Sequence, residues 1–121
     1  MALGNETAGF FTNDFDFANE LRNSGLEFFE RSWIMPITEE SREAIKKPSA
    51  DISNMGRNNP LGGAINAAAF LERFIEQDVK WIHMDIAGSA HLLAAKAPIC
   101  VDGNGYGVST LLNYLSKTQS V

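Results

Sequence analysis

The stretch KWIHMDIAGSAH, residues 80–91, sets His83, Asp85 and His91 close together in the chain. Imidazole and carboxylate are ligands for zinc and related ions, which require donors converging on one point at about 2.0–2.2 Å. On an extended strand, residues two apart share a face, so His83 and Asp85 are geometrically able to act together. His91 follows an Ala-Gly-Ser turn, and nothing in the spacing returns it to the first two. No other carboxylate or histidine is evidently placed to complete a ligand set. The residues therefore predict a structural role. His83 and Asp85 are expected near a strand end, satisfied by hydrogen bonds within the domain and shaping the turn that follows.

Two other constellations invite a chemical reading and lose it. Cys100 and His91 combine a nucleophile and a base, but no orienting third group or oxyanion hole accompanies them. The run GNGYG (103–107) suggests a phosphate loop, yet it follows no predicted strand and lacks the Lys and Ser/Thr that such a loop requires.

The elements that must position these residues alternate between helices and short strands. Residues 14–31 carry Phe17, Leu21, Leu26, Phe28 and Phe29 at roughly helical spacing, with Asn13 or Asp14 as cap and Gly25 weakening the interior. SWIMPI (32–37) reads as a strand near a sheet edge, ended by Pro36. TEESREAI (38–45) reads as a helix opened by Thr38 and acidic Glu39 and Glu40, and closed before Pro48. Residues 48–63 are loop by composition, and a loop of that length is usually functional or a linker. A helix is predicted over 64–76, with small alanines for close approach to a sheet and Phe70, Leu71, Phe74 and Ile75 as anchors. Residues 79–86 alternate as a strand, with Val79, Trp81, His83 and Asp85 on one face and Ile82, Met84 and Ile86 on the other. The last helix, 107–117, has Leu111, Leu112 and Leu115 as its expected seam. The pattern is that of an α/β protein.

Size and charge narrow the function. A chain of 121 residues, 45% hydrophobic and 21% charged, is expected to form a single domain, 1–121, with a real core. Its net charge of −5, with no basic stripe, argues against a nucleic-acid partner. No apolar stretch approaches the length of a membrane span, and the N-terminus lacks a signal-peptide pattern, so no membrane association is expected. The single cysteine fits a reducing compartment, and the expected location is cytoplasmic.

The same residues carry a family resemblance. WIHMDIAGSA (81–90) resembles the W-x-H-x-D-I-A-G signature of the leucyl (cytosol) aminopeptidases, a family of two-metal exopeptidases. ALGNETAGFFTND (2–14), WIMPITEESREAIKKPSADISNMG (33–56), GGAINAAAFLERFI (62–75) and GNGYGVSTLLNYL (103–115) resemble further segments of that family, in order and with matching spacing. Asn66 stands where the family usually has Thr, and Ser109 where it usually has Arg, which puts in doubt the ion pair that Arg makes. The resemblance covers essentially the whole chain but only the last third or so of the family's catalytic domain. It implies the C-terminal portion of a three-layer α/β/α domain with a mixed central sheet, phosphorylase/hydrolase-like, beginning within the family's fold.

The resemblance also implies what the chain would do. The family's two divalent metals (Zn, Mn or Mg) are held by Lys, Asp and Glu residues in stretches upstream of the matched segment. Neither stretch occurs here, so no metal ligand and no catalytic residue is expected on this chain, and the chain alone is expected to be inactive. Met55 matches an apolar residue lining the leaving-group side of the substrate pocket, and Ala87 and Ala90 match walls of the pocket for the N-terminal side chain. Met55 as a gap-filler and Ala87-Gly88 as strand-end punctuation compete with these readings. Gly88 is expected either to hold an unusual backbone conformation or to allow close backbone approach. Two functions follow: part of a cytosolic metallo-aminopeptidase acting on peptides with apolar N-terminal residues, or a standalone non-catalytic module keeping the fold. The expected partners are the peptide substrate and either further copies of the chain, as in the family's hexamers, or an upstream segment of the same fold.

Overall fold

The computed structural model describes residues 3–47, 50–54, 61–92 and 102–118. Its first strand, β1 (Thr7–Thr12), is the run TAGFFT, which mixes small and aromatic residues without polar alternation. Such a run suits a strand covered on both faces. Strand β2 (Arg31–Met35) pairs with β1 in parallel, Ala8 opposite Ser32 and Phe10 opposite Ile34. Strand β3 (Ile82–Asp85) pairs with it antiparallel on the other side, Phe11 opposite His83 and Gly9 opposite Asp85. The sheet is mixed, of order β2-β1-β3, and β2 lies at its edge among the described residues.

Helix α1 (Phe15–Leu26) starts where the Asp14 carboxylate accepts a hydrogen bond from the Phe17 N–H at 2.9 Å. That bond, with Lys80 beside it, holds the Asp14 carboxyl below its usual range. Asn13, the other candidate cap, does something else. Its side chain donates to the Val79 carbonyl and accepts from the Trp81 N–H, while the Thr12 hydroxyl donates to the Trp81 carbonyl. A side chain thus takes over the ladder at the next register position, and β3 is shorter than the 79–86 expected from alternation.

Helix α1 ends earlier than expected as well. The Glu30 N–H donates back to the Gly25 carbonyl and the Phe29 N–H to that of Leu26, with Phe29 at φ +62°. This is the paired bond pattern that closes a helix through one left-handed residue.

The short helix α2 (Glu39–Ala44) is opened by Thr38, whose hydroxyl accepts from the Ser41 N–H, as its sequence predicts. Helix α3 (Gly63–Glu72) stops four residues short of the expected 76. A two-pronged pair from Arg42 to Glu72, at 2.7 and 3.0 Å, ties α2 to α3. Two-residue strands β4 (His91–Leu92) and β5 (Asp102–Gly103) pair antiparallel and lead into helix α4 (Val108–Thr118). The GNGYG run therefore does begin in a strand, though one of two residues.

The core explains the layering. Ala8 and Phe10 of β1 pack with Leu21 of α1 and with Ile34, Ile82, Met84, Tyr106 and Tyr114, which places α1 and α4 on one face. By alternation the fully buried Phe11 points to the opposite face, where α3 lies against β1 and β3 with Ala68 and Ala69 buried. Helices cover both faces of a mixed sheet, as the α/β/α expectation requires.

Gly25 has a role that its low helix propensity concealed. A Cβ there would lie 2.6 Å from the Thr110 hydroxyl and 2.8 Å from the Glu30 carbonyl, so glycine lets α1 and α4 touch. The contact is completed by Glu30, whose carboxylate accepts from the Thr110 N–H at 2.9 Å and from its hydroxyl. The Asn113 amide donates to the Ser24 carbonyl, and Lys117 pairs with Glu27. The face of α4 turned to α1 is thus Thr110, Asn113, Tyr114 and Lys117. The expected leucine seam is not: Leu111, Leu112 and Leu115 are exposed.

Candidate functional site

At the end of β3 the chain makes one tight turn, with the Ser89 and Ala90 N–H groups both donating to the Ile86 carbonyl at 3.1 and 2.9 Å. Asp85 fixes its start, since its carboxylate accepts from the Ala87 N–H at 3.1 Å. This is the turn-shaping role expected of Asp85. Gly88 sits against the N-terminal loop, where a Cβ would stand 2.6 Å from the Gly4 carbonyl oxygen. Of the two reasons for a glycine there, close backbone approach is the one the structure shows.

The turn presents Ala87 to solvent and leaves Ala90 half-buried, while Ser89 between them is buried. The Ser89 hydroxyl has no hydrogen-bond partner among the described residues. Loop 102–107 also holds the turn. The Asn104 side-chain amide donates to the Ser89 carbonyl at 2.6 Å, and the Asn104 N–H to that of Ala90 at 3.1 Å. The Tyr106 N–H in turn donates to the Asn104 side-chain oxygen, and the Tyr106 phenol donates to the Arg31 carbonyl. Burial pushes that phenol up to about 12. Sequence reasoning missed Asn104; its position before a glycine in a turn was the available signal.

His83 is on the same face of β3 as Asp85, but among the described residues it does not make the hydrogen bond expected of it. Among the described residues its ring is held by stacking, 5.9 Å from Phe11 and 6.3 Å from Trp81 between centroids. Burial pushes its pKa down, opposed by the nearby Asp85 carboxylate. His91 is exposed on β4, opposite Gly103. Among the described residues no three His, Cys, Asp or Glu side chains converge as a metal site would need. Met55 and Cys100 lie outside the described residues. Chemically, the turn offers methyl groups and a buried hydroxyl, and its one carboxylate is engaged by the turn itself.

Comparison with known proteins gives the family. Residues 1–112 match the cytosol aminopeptidase family, catalytic domain. The chain belongs to that family. Curated relatives include the probable cytosol aminopeptidases of Aquifex aeolicus (strain VF5), 43% identical over 99% of this chain, and of Prochlorococcus marinus (strain AS9601), 38% identical over 97%. The chain spans about a quarter of each, 24% of either relative's length. Among solved structures, a tomato leucine aminopeptidase mutant superposes with a TM-score of 0.83 at 38% identity, covering 96% of this chain and 22% of that one. The bottromycin maturation enzyme BotP, in complex with Mn, superposes with a TM-score of 0.90 at 29% identity, covering 98% and 26%. The α/β fold of this cytosol aminopeptidase family member is thereby shared with solved relatives. No helix among its described residues is long and apolar enough to cross a membrane.

Proposed function

We propose that this chain forms the C-terminal part of the catalytic domain of a cytoplasmic metallo-aminopeptidase, one that removes N-terminal, preferably apolar, residues from peptides. The supporting observation is the turn after β3, where Ala87 and Ala90 flank a buried Ser89 and the surrounding backbone is pinned from both sides. Small side chains on a rigid turn leave room for a substrate side chain and supply apolar wall. Such a wall discriminates by about 1–3 kcal/mol per methylene. In this reading Met55 lines the leaving-group side.

Among the described residues no three His, Cys, Asp or Glu side chains converge, so these residues do not fit a pair of divalent ions. The ions (Zn, Mn or Mg) belong to the remainder of the fold, an upstream segment or further copies in a homo-oligomer. The test is to co-express the chain with the upstream three-quarters of the Aquifex aeolicus relative and assay leucine p-nitroanilide with Mn²⁺. Turnover is expected from the pair and from neither part alone. Ala87→Trp should lower kcat/KM for the leucine substrate at least tenfold. A pair that assembles without turnover favours a non-catalytic module, and turnover indifferent to Ala87 and Ala90 rejects the pocket-wall assignment.

A further inference from the structure

We propose that Asn104 is the positioning residue that sets the apolar wall, and so the preference for large over small N-terminal side chains. The inference rests on the reading of the 87–90 turn as that wall. Among the described residues Asn104 is the side chain that bonds to a carbonyl of this turn: its NH₂ donates to the Ser89 carbonyl, while its oxygen accepts from the Tyr106 N–H. Its oxygen faces the Tyr106 N–H, a donor, so its NH₂ must face the Ser89 carbonyl, an acceptor. The orientation is fixed by this pairing. Its own N–H holds the next carbonyl, that of Ala90.

The grip is anchored in the sheet. Tyr106 packs against the core of Ala8, Phe10 and Leu21 and its phenol is tied to β2 through the Arg31 carbonyl. A continuous path of hydrogen bonds therefore runs from β2 through Tyr106 and Asn104 to the turn that bears Ala87 and Ala90. The Gly4 carbonyl also lies against the turn, where a Cβ on Gly88 would stand 2.6 Å from its oxygen. The Asn104 bonds to the Ser89 and Ala90 carbonyls tie the wall to that path.

Asn104→Asp separates the two halves of the grip. The carboxylate still accepts from Tyr106 but sets an oxygen against the Ser89 carbonyl, where a donor is required. In the complex of this chain with the upstream segment, assayed with leucine and alanine p-nitroanilides and Mn²⁺, the variant should raise KM for leucine about tenfold. It should leave kcat within about twofold, and KM for alanine, whose side chain stops short of the wall, nearly unchanged. A purely structural lesion would reduce the active fraction and so kcat for both substrates alike, without moving their ratio of kcat/KM. An unchanged leucine-to-alanine ratio in active variant overturns the proposal while the aminopeptidase reading stands. If the wild-type complex is inactive, that reading falls, and amide hydrogen exchange on this chain within the assembled complex decides the grip. Exchange at Ser89 and Ala90 about tenfold faster in the variant supports it, and unchanged exchange overturns it. Asn104→Ala, which removes both bonds without adding charge, serves in the same measurements if Asn104→Asp does not fold.

Discussion

His83 sits half-buried on β3, stacked on Phe11 and Trp81, and burial is the main reason its pKa is lowered. The folded chain therefore binds this proton less readily than the unfolded chain, whose histidine titrates near 6.5. Between that value and the lower folded one, the unfolded state carries more protons, and stability falls as pH falls. Above about 6.5 the contribution is fully present, and below the folded pKa it is gone. His83→Phe keeps a ring for the stack and removes the titration. Urea unfolding at pH 8, 6 and 5 should show a steeper loss of stability for the wild type than for the variant. Parallel profiles would mean that the imidazole is solvated in the folded chain. His83 and Asp85 were legible as a structural pair because they share a strand face two residues apart. Stacking in place of hydrogen bonds was not, since the register that brings Phe11 opposite His83 is set by strands over seventy residues apart in the chain.

At the scale of elements, the ends of helices are written locally and their faces are not. Asp14 and Thr38 cap α1 and α2 through hydrogen bonds three residues long, so the sequence alone exposes them. β1 was invisible because a strand buried on both faces has no alternation to detect. The end of α1 was missed for a different reason. Phe29 occupies the left-handed closing position that glycine normally fills, and the residue is 89% exposed. A left-handed conformation costs a non-glycine residue about 1–2 kcal/mol, while glycine loses about 0.4–1 kcal/mol more backbone freedom on folding. Phe29→Gly should therefore stabilise the chain by about 0.5–1 kcal/mol, read from chemical denaturation midpoints at unchanged slope. A loss of stability would show that the Phe29 ring makes contacts worth more than the strain. Helix α4 carries two stripes at helical spacing. Thr110, Asn113, Tyr114 and Lys117 meet α1, and Val108, Leu111, Leu112 and Leu115 do not. The choice follows from Glu30 and Gly25 on the neighbouring segment, which fit Thr110 and would not fit a leucine.

At the scale of the whole molecule, the unused stripe joins other uncovered apolar residues. Leu112 is 62% exposed and Phe74 is 67% exposed, and Phe28, Trp33 and Val79 are exposed as well. The outer edges of β2 and β3 have no strand beside them among the described residues. Open edges and contiguous apolar surface drive association, and each leucine fully buried contributes about 1.5–3 kcal/mol. A chain that spans about a quarter of its relatives' length is expected to satisfy these surfaces with the remainder of such a protein. We therefore predict that the 121-residue chain is oligomeric or dependent on an upstream segment at low micromolar concentration. Sedimentation velocity of the chain alone should show species larger than its 13.3 kDa monomer, and co-expression with the upstream segment should replace them with a defined complex. Leu112→Glu with Leu115→Lys, placed on the exposed stripe, should weaken either association about tenfold or more without disturbing the α1–α4 contact. A compact monomer that unfolds cooperatively and ignores the upstream segment would show that the leucine stripe is tolerated in water, and would favour the standalone module over the aminopeptidase part.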